Sequence, residues 1–207
     1  MARRRRFVPA AEAGRRLAAG GRLGPRLLSV TFDDGYTDLY EYALPVLLRY
    51  GIPATVFVVS ATLTDDVRVD WIDDPTSTPP DTLTVDEIIE MQDSGVEFGS
   101  HGHTHSDLTE LSDDECERDL RTSKQALEDL LGRPASLLAY PRGLHDARVR
   151  RAAGRAGFSL AFTTSKHLGP VGPFAIPRVG LYAGDGIASL ALKTMPGYLR
   201  LKRAFGR

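Results

Sequence analysis

Two adjacent carboxylates and a cluster of imidazoles are the groups in this sequence with the most chemistry in them. Asp33 and Asp34 stand in the run Thr31-Phe32-Asp33-Asp34-Gly35, and three of the chain's five histidines fall within five residues, in Ser100-His101-Gly102-His103-Thr104-His105. Two neighbouring carboxylates cannot both be buried and charged without compensation. A cation resolves the conflict: one Asp ligates it and the other stays ionised as a free base beside its charge. An Asp-Gly turn is the plainer reading, since Gly35 tolerates the positive φ that such turns use. On one helical turn His101 and His105 share a face; in an extended segment His101, His103 and His105 all do. Either arrangement pairs two imidazoles, which are good zinc ligands, against the plainer reading of a polar surface loop. Asp34, His101 and His105 together make three ligands and leave a position for water, as catalytic zinc requires. A metal there acidifies water and polarises a carbonyl, and Asp33 takes the water's proton. The chemistry is metal-assisted hydrolysis of an amide or ester.

These groups act together only if the fold places them on one rim. Each follows an apolar stretch that reads as a strand: residues 27–32 before the aspartates and 96–100 before the histidines. A third polar turn, Tyr140-Pro141-Arg142-Gly143, ends a strand at 136–140, and further strands are expected at 54–59, 160–164 and 176–182. Between them lie helical patterns. One spans 39–50, with Pro45 opening its second piece and Gly51 ending it. Capping boxes at Thr84/Glu87 and Ser112/Glu115 open two more, ending near Gly95 and at Gly132. A fourth covers 146–156, while the last 20 residues show no clear pattern. Strands alternating with helices predict an α/β fold, an open parallel sheet or incomplete barrel, with function at the strands' C-terminal ends. Residues 61–83, polar and holding Trp71, form a connection long enough to suggest function.

The composition is that of a globular domain: 42% hydrophobic and 26% charged over 207 residues. Wholesale disorder, collagen and coiled coil are excluded, and no apolar run approaches the roughly 20 residues needed to span a bilayer. The single Cys116 excludes an internal disulfide and a multi-cysteine zinc site. The net charge of −1 hides an asymmetry: residues 1–26 carry eight arginines and one glutamate, and residues 193–207 five Lys or Arg and no acid. We therefore expect a basic, solvated N-terminal tail (1–26), a catalytic domain (27–190) and a basic C-terminal segment (191–207). The acidic middle argues against a nucleic-acid domain, while the basic ends suit an anionic membrane surface. Arg3 to Arg6 are not followed by an uninterrupted apolar core, so the sequence as given reads as cytoplasmic, or as secreted if its start is misplaced.

In their order along residues 27–182, these motifs resemble the polysaccharide deacetylase family, carbohydrate esterase family four. Its members remove N- or O-acetyl groups from chitin oligomers, peptidoglycan, exopolysaccharide and related sugars. The resemblance implies a distorted barrel of about seven strands and a divalent metal, Zn2+ first, with Co2+ or Ni2+ as alternatives. It makes Asp33 the catalytic base and Asp34, His101 and His105 the ligands, with His103 outside the set. Leu138-Ala139-Tyr140-Pro141-Arg142-Gly143 resembles the third motif, in a variant with Tyr-Pro for Arg-Pro-Pro. There a backbone N–H, that of Arg142, faces the oxyanion, and Tyr140, Pro141 and Gly143 are expected to line the substrate. Tyr36 and Trp71 are the aromatics best placed to stack on a sugar face.

Two departures from the family pattern stand out. Ala139 occupies the position where an Arg often orients the base; Arg178, in Pro177-Arg178-Val179, could supply that guanidinium from a later strand. The late Leu-His motif, whose His protonates the leaving amine, is missing, and only His145 and His167 remain for that role. The same site on this fold would also serve hydrolysis of cyclic amides or imides, or survive as a metal feature in a non-catalytic glycan-binding module. Reading His101-Gly102-His103 as the His-x-His of an amidohydrolase barrel demands further His and Asp ligands on distant strands, for which only His145 and His167 are left in a chain short for that barrel.

Overall fold

The computed structural model describes residues 5–24, 26–64, 79–164, 171–182, 184–195, 197–198 and 202. Trp71 and His167 lie outside them. Six parallel strands run side by side in chain order: β3 (Val30–Phe32), β4 (Ala54–Val58), β5 (Glu97–Ser100), β6 (Leu137–Ala139), β7 (Leu160–Thr164) and β8 (Ile176–Arg178). A parallel sheet laid down in chain order curls in one direction instead of winding outward from its middle, and the result is a half-barrel. A separate two-stranded parallel sheet pairs β1 (Arg6–Phe7) with β2 (Leu27–Leu28). The expected single strand at 27–32 is thus divided between two sheets at Ser29. Among the described residues the main sheet has six strands, in keeping with the distorted barrel of about seven expected.

The helices follow their sequence signals. Pro45 sits in the first turn of α2 (Leu44–Tyr50), after a π-helical turn at Leu39–Ala43, and Gly51 ends α2 with φ 59°. The short α3 (Ala61–Thr64) follows β4. Thr84 and Glu87 close the capping box of α4 (Val85–Asp93), and Ser112 and Glu115 that of α5 (Asp113–Leu131). Asp146 caps α6 (Ala147–Arg155) by accepting from the Val149 amide. Residues 27–32 apart, the strand expectations fail mainly at 176–182, where the ladder stops at Arg178. The chain then turns away and forms a short helix, α7 (Ile187–Lys193).

Strand alternation divides the core in two. Val56, Val58 and Phe98 pack outward against Ile88 and Met91 of α4 and Leu127 of α5, while Leu138, Tyr140 and Ala161 pack against Leu120 of α5 and Val149 of α6. The opposite face gathers Phe57, Leu137, Ala139, Leu160, Phe162 and Ile176, with the Phe57 and Phe162 rings 5.5 Å apart.

On that concave side lies α1 (Ala10–Ala18), which corrects the expectation of a solvated tail over residues 1–26. Its small residues make the docking possible: Ala10 and Ala13 are buried, and Ala10 joins the Phe57–Ile176 cluster. A side chain at Gly14 would place its Cβ 3.0 Å from Ile176 Cδ1 and from Leu160 Cδ1. The arginines of this segment dominate its composition, but an apolar face of small residues decides where it sits. Overpacking a core contact costs about 1–3 kcal/mol, whereas a substitution in a solvated tail stays within about 0.5 kcal/mol. Gly14→Val is therefore expected to lower the thermal unfolding midpoint by several degrees in a calorimetric scan; an unchanged midpoint would mean that α1 does not pack on the sheet.

Candidate active site

All six strands of the main sheet point the same way, so the segments that follow β3, β5 and β6 share one rim, which Arg178 joins at the end of β8. Asp33 and Asp34 leave β3 in a turn that Gly35 permits: its φ is +76°, and a Cβ there would fall 2.7 Å from Val58 Cγ1. Asp34 itself has φ 69°. The two neighbours consequently diverge.

Asp34 turns to the histidines. Its Oδ1 lies 3.6 Å from His101 Nε2 and 3.4 Å from His105 Nε2, and the three donor atoms are all within 4.8 Å of one another. Bonds of about 2.0–2.1 Å to a tetrahedral zinc place ligand atoms roughly 3.4 Å apart, close to those two separations. His101, 3% exposed, ends β5 and directs Nδ1 at the Ala139 carbonyl oxygen, 2.8 Å away. A carbonyl only accepts, so Nδ1 carries the proton and Nε2 presents its lone pair inward, the arrangement metal-binding histidines use. His105, 7% exposed, sits at φ 57°. Burial, the neighbouring His101 ring and the Arg142 guanidinium push its pKa down to about 3, with only partial relief from Asp33. It is a neutral ring, ready to ligate. Two imidazole nitrogens and one carboxylate oxygen at these spacings suit a divalent metal.

Neither a helical turn nor an extended strand produces this pairing. Gly102, with φ +82°, breaks the strand after His101, and Asp119 of α5 holds the turn. Its buried carboxylate accepts from the His103 and Thr104 amides at 2.9 and 3.0 Å and from the Thr104 hydroxyl at 2.8 Å. His103 is turned out of the set, its Nδ1 2.9 Å from Ser60 Oγ.

Asp33 goes the other way. Arg178 donates to both of its oxygens, at 2.6 and 2.9 Å, and to Thr31 Oγ1 at 3.0 Å. The guanidinium also lies over the Phe57 ring, 5.2 Å from its centroid. Asp33 keeps 34% of its side chain accessible. Crowding by the surrounding protein pushes its carboxyl up, but Arg178, by charge and hydrogen bond, together with His101 and His105, holds it below its ordinary value. It is an ionised carboxylate outside the donor set.

The third loop is placed differently from the expectation. Arg142 is exposed and in the left-handed region at φ 56°, near enough for its charge to act on His105. Tyr140 does not line the site. It is fully buried on the helix side, and its hydroxyl donates to the Phe174 carbonyl at 3.1 Å. Period-2 alternation puts it with Leu138, not with Ala139. Pro141 and Gly143 are buried too, and Gly143 is there for close approach: a Cβ would fall 2.7 Å from the Thr164 backbone nitrogen. Tyr36 is half-buried two residues beyond Asp34, its backbone bridging to Thr82. His145 accepts from Arg150 Nη1 at 3.0 Å and lies against the Tyr140 ring.

Asp119 is a functional support that the motifs do not name, although the pattern of α5 carries a signal for it. Cys116, Asp119, Leu120, Ser123 and Leu127 form the buried face of α5 at helical spacing, and an acid on such a face needs donors.

Comparisons with known proteins show what the chain is similar to. The family model described as polysaccharide deacetylase matches residues 20–161. The chain is 26% identical over 175 residues to the Bacillus subtilis protein YxkH, covering 84% of this chain and 58% of that one. It is 28% identical over 153 residues to a Staphylococcus aureus poly-beta-1,6-N-acetyl-D-glucosamine N-deacetylase, covering 68% and 50%. It thus spans about half the length of these relatives. Among solved structures, the Streptococcus pyogenes deacetylase PplD in complex with acetate superposes with a TM-score of 0.74 at 23% identity, covering 92% of this chain and 80% of that one. IcaB from Ammonifex degensii gives 0.71 at 25% identity, covering 92% and 82%.

The His105 ring makes stability depend on pH in a defined direction. Its folded pKa of about 3 lies below the ordinary 6.5, so the unfolded chain takes up the proton first. In metal-free protein this contribution is whole above pH 6.5 and declines as pH falls toward 3, by at most about 1.4 kcal/mol per pH unit. Asp33, also lowered, loses its contribution only at more acid pH. Denaturant unfolding between pH 7.5 and 4.5 should show a shallower decline for His105→Gln than for the wild type. Identical slopes would mean that the ring protonates freely in the folded state.

Proposed function

This chain belongs to the polysaccharide deacetylase family, and we propose that it hydrolyses the acetamide of an N-acetylated sugar or polysaccharide with the help of a divalent metal. One observation carries the reading: a two-histidine, one-carboxylate donor set stands beside a second carboxylate that is ion-paired and still accessible. Asp34, His101 and His105 would hold the ion. When bound, it supplies Lewis acidity toward a carbonyl and toward water, zinc being the first candidate and cobalt or nickel the alternatives.

The remaining chemistry belongs to the chain. Asp33 is kept ionised by Arg178, and its two oxygens are oriented by the paired hydrogen bonds. It is the base that removes a proton from the attacking water. Arg178 thus fills the place that Ala139 leaves vacant in the third motif. The backbone N–H of Arg142, in its left-handed turn, is the donor assigned to the oxyanion of the tetrahedral intermediate. His103 is engaged by Ser60 and His145 by Arg150, so neither is assigned the leaving group. Asp33, protonated in the first step, returns that proton to the departing amine, and acetate and a free amino sugar result. The S. aureus relative acts on poly-beta-1,6-N-acetyl-D-glucosamine, and a polymer of N-acetylglucosamine is the substrate class we assign here.

Acetate release from β-1,6- and β-1,4-linked N-acetylglucosamine oligomers, with zinc supplied, tests the assignment. Loss of a positioned general base lowers rates by about 10²–10⁴-fold, so Asp33→Asn is expected to lose kcat on that scale with KM little changed. Chelation should abolish the wild-type rate and zinc restore it. Full activity in Asp33→Asn would remove Asp33 from the mechanism, and oligomer binding without turnover by metal-loaded protein would make this a binding module.

A further inference from the structure

We propose that α7 and the basic side chains beside it form a surface that docks on an anionic lipid bilayer. The helix offers its apolar residues to solvent. Ser189 and Lys193, one turn apart, are tied back to the segment that leads into it: Ser189 Oγ donates to Asp185 Oδ1 at 2.6 Å, and Lys193 Nζ to Asp185 Oδ2 and to the Gly180 carbonyl. The arc they leave carries Ile187, Leu190 and Leu192, with Met195 just beyond the helix, all of them exposed and Ile187 87% so. A surface helix usually turns its apolar stripe to the core and its polar stripe to water; here the polar stripe is engaged by the preceding segment and the apolar one is exposed.

The charge around this arc selects the occupant. Lys193 being paired with Asp185, residues 194–207 hold four more Lys or Arg and no Asp or Glu, and residues 3–6 are four arginines. The fold brings Arg5 to the end of α7, because Arg5 Nη1 donates to the carbonyl oxygen of Thr194, just past that helix. Arg5 and Arg6 are both exposed. A soluble polyanion would satisfy the charge and leave the apolar arc in water. A second copy would cover the arc but bring two like-charged surfaces together. An anionic bilayer takes both, with the apolar side chains below the headgroups and the basic ones among them. A seven-residue helix inserts too little apolar surface to bind strongly by itself, so both signals are required.

Co-sedimentation with vesicles tests this, using the 207-residue chain and phosphatidylcholine with and without 30% phosphatidylglycerol. Binding is expected to the anionic vesicles only and to weaken at 0.5 M NaCl. Ile187→Ser with Leu192→Ser should reduce it at least tenfold with an unchanged melting midpoint. Arg6→Gln and Lys202→Gln should each reduce it by about fivefold, the worth of one basic residue at such a surface. Three results would each overturn the proposal: no binding to anionic vesicles; vesicle binding indifferent to the Ile187 and Leu192 substitutions, with heparin bound equally well, which would make the surface a polyanion site; or a concentration-dependent dimer, without vesicle binding, that the same substitutions dissolve.

Discussion

The pair formed by Arg178 and Asp33 is the constraint on which the rest of the site rests. The six-stranded sheet is open, and its two edges, β3 and β8, belong to opposite ends of the strand order. Arg178 reaches across from β8 to Asp33 and Thr31 at the end of β3, between residues 145 and 147 positions apart in the chain. Removing one member of such a pair leaves an uncompensated charge, at a cost of about 3–5 kcal/mol when burial is complete and less at this partly exposed rim. The same contact sets the chemistry. With Asp33 claimed by a guanidinium, Asp34 alone is left to join the histidines, and two chemically identical neighbours acquire different roles.

The division is maintained by backbone that the chain would not adopt unaided. Among the described residues, the non-glycine positions with positive φ are Asp34, His105 and Arg142, one in each rim segment. Each costs about 1–2 kcal/mol and is held by its surroundings. Gly35 fits under Val58, Gly143 fits against Thr164, and the Asp119 carboxylate fixes the histidine turn. Strain gathered at the three loops that converge, and supported by buried partners elsewhere, is the pattern of a preorganised site.

Much of this was legible in the sequence, for reasons that are local. Ser112 with Glu115, Thr84 with Glu87, and glycines at 51 and 132 act within a few residues, so they mark helix ends in any context. The candidate metal set was legible because Asp34, His101 and His105 are rare groups at tight spacing directly after apolar strands. What escaped depends on contacts distant in the chain. Whether residues 10–18 are a solvated basic tail or a docked helix is decided by the space between Gly14 and Ile176, and the arginines conceal it. The third motif suggests Tyr140 as a substrate contact, but strand alternation turns it beside Leu138 into the helix-side core. Arg178 was nameable as a candidate partner for Asp33, but only the curl of the sheet brings the two together.

The central claim is that Asp34, and not Asp33, belongs to the metal set. Elemental mass spectrometry of purified wild type, Asp33→Asn, Asp34→Asn and His101→Ala, each loaded with zinc and desalted, tests it most directly. About one ion per chain is expected in the wild type and in Asp33→Asn, and little in Asp34→Asn or His101→Ala. Equal metal in all four, or loss in Asp33→Asn as complete as in Asp34→Asn, would contradict it.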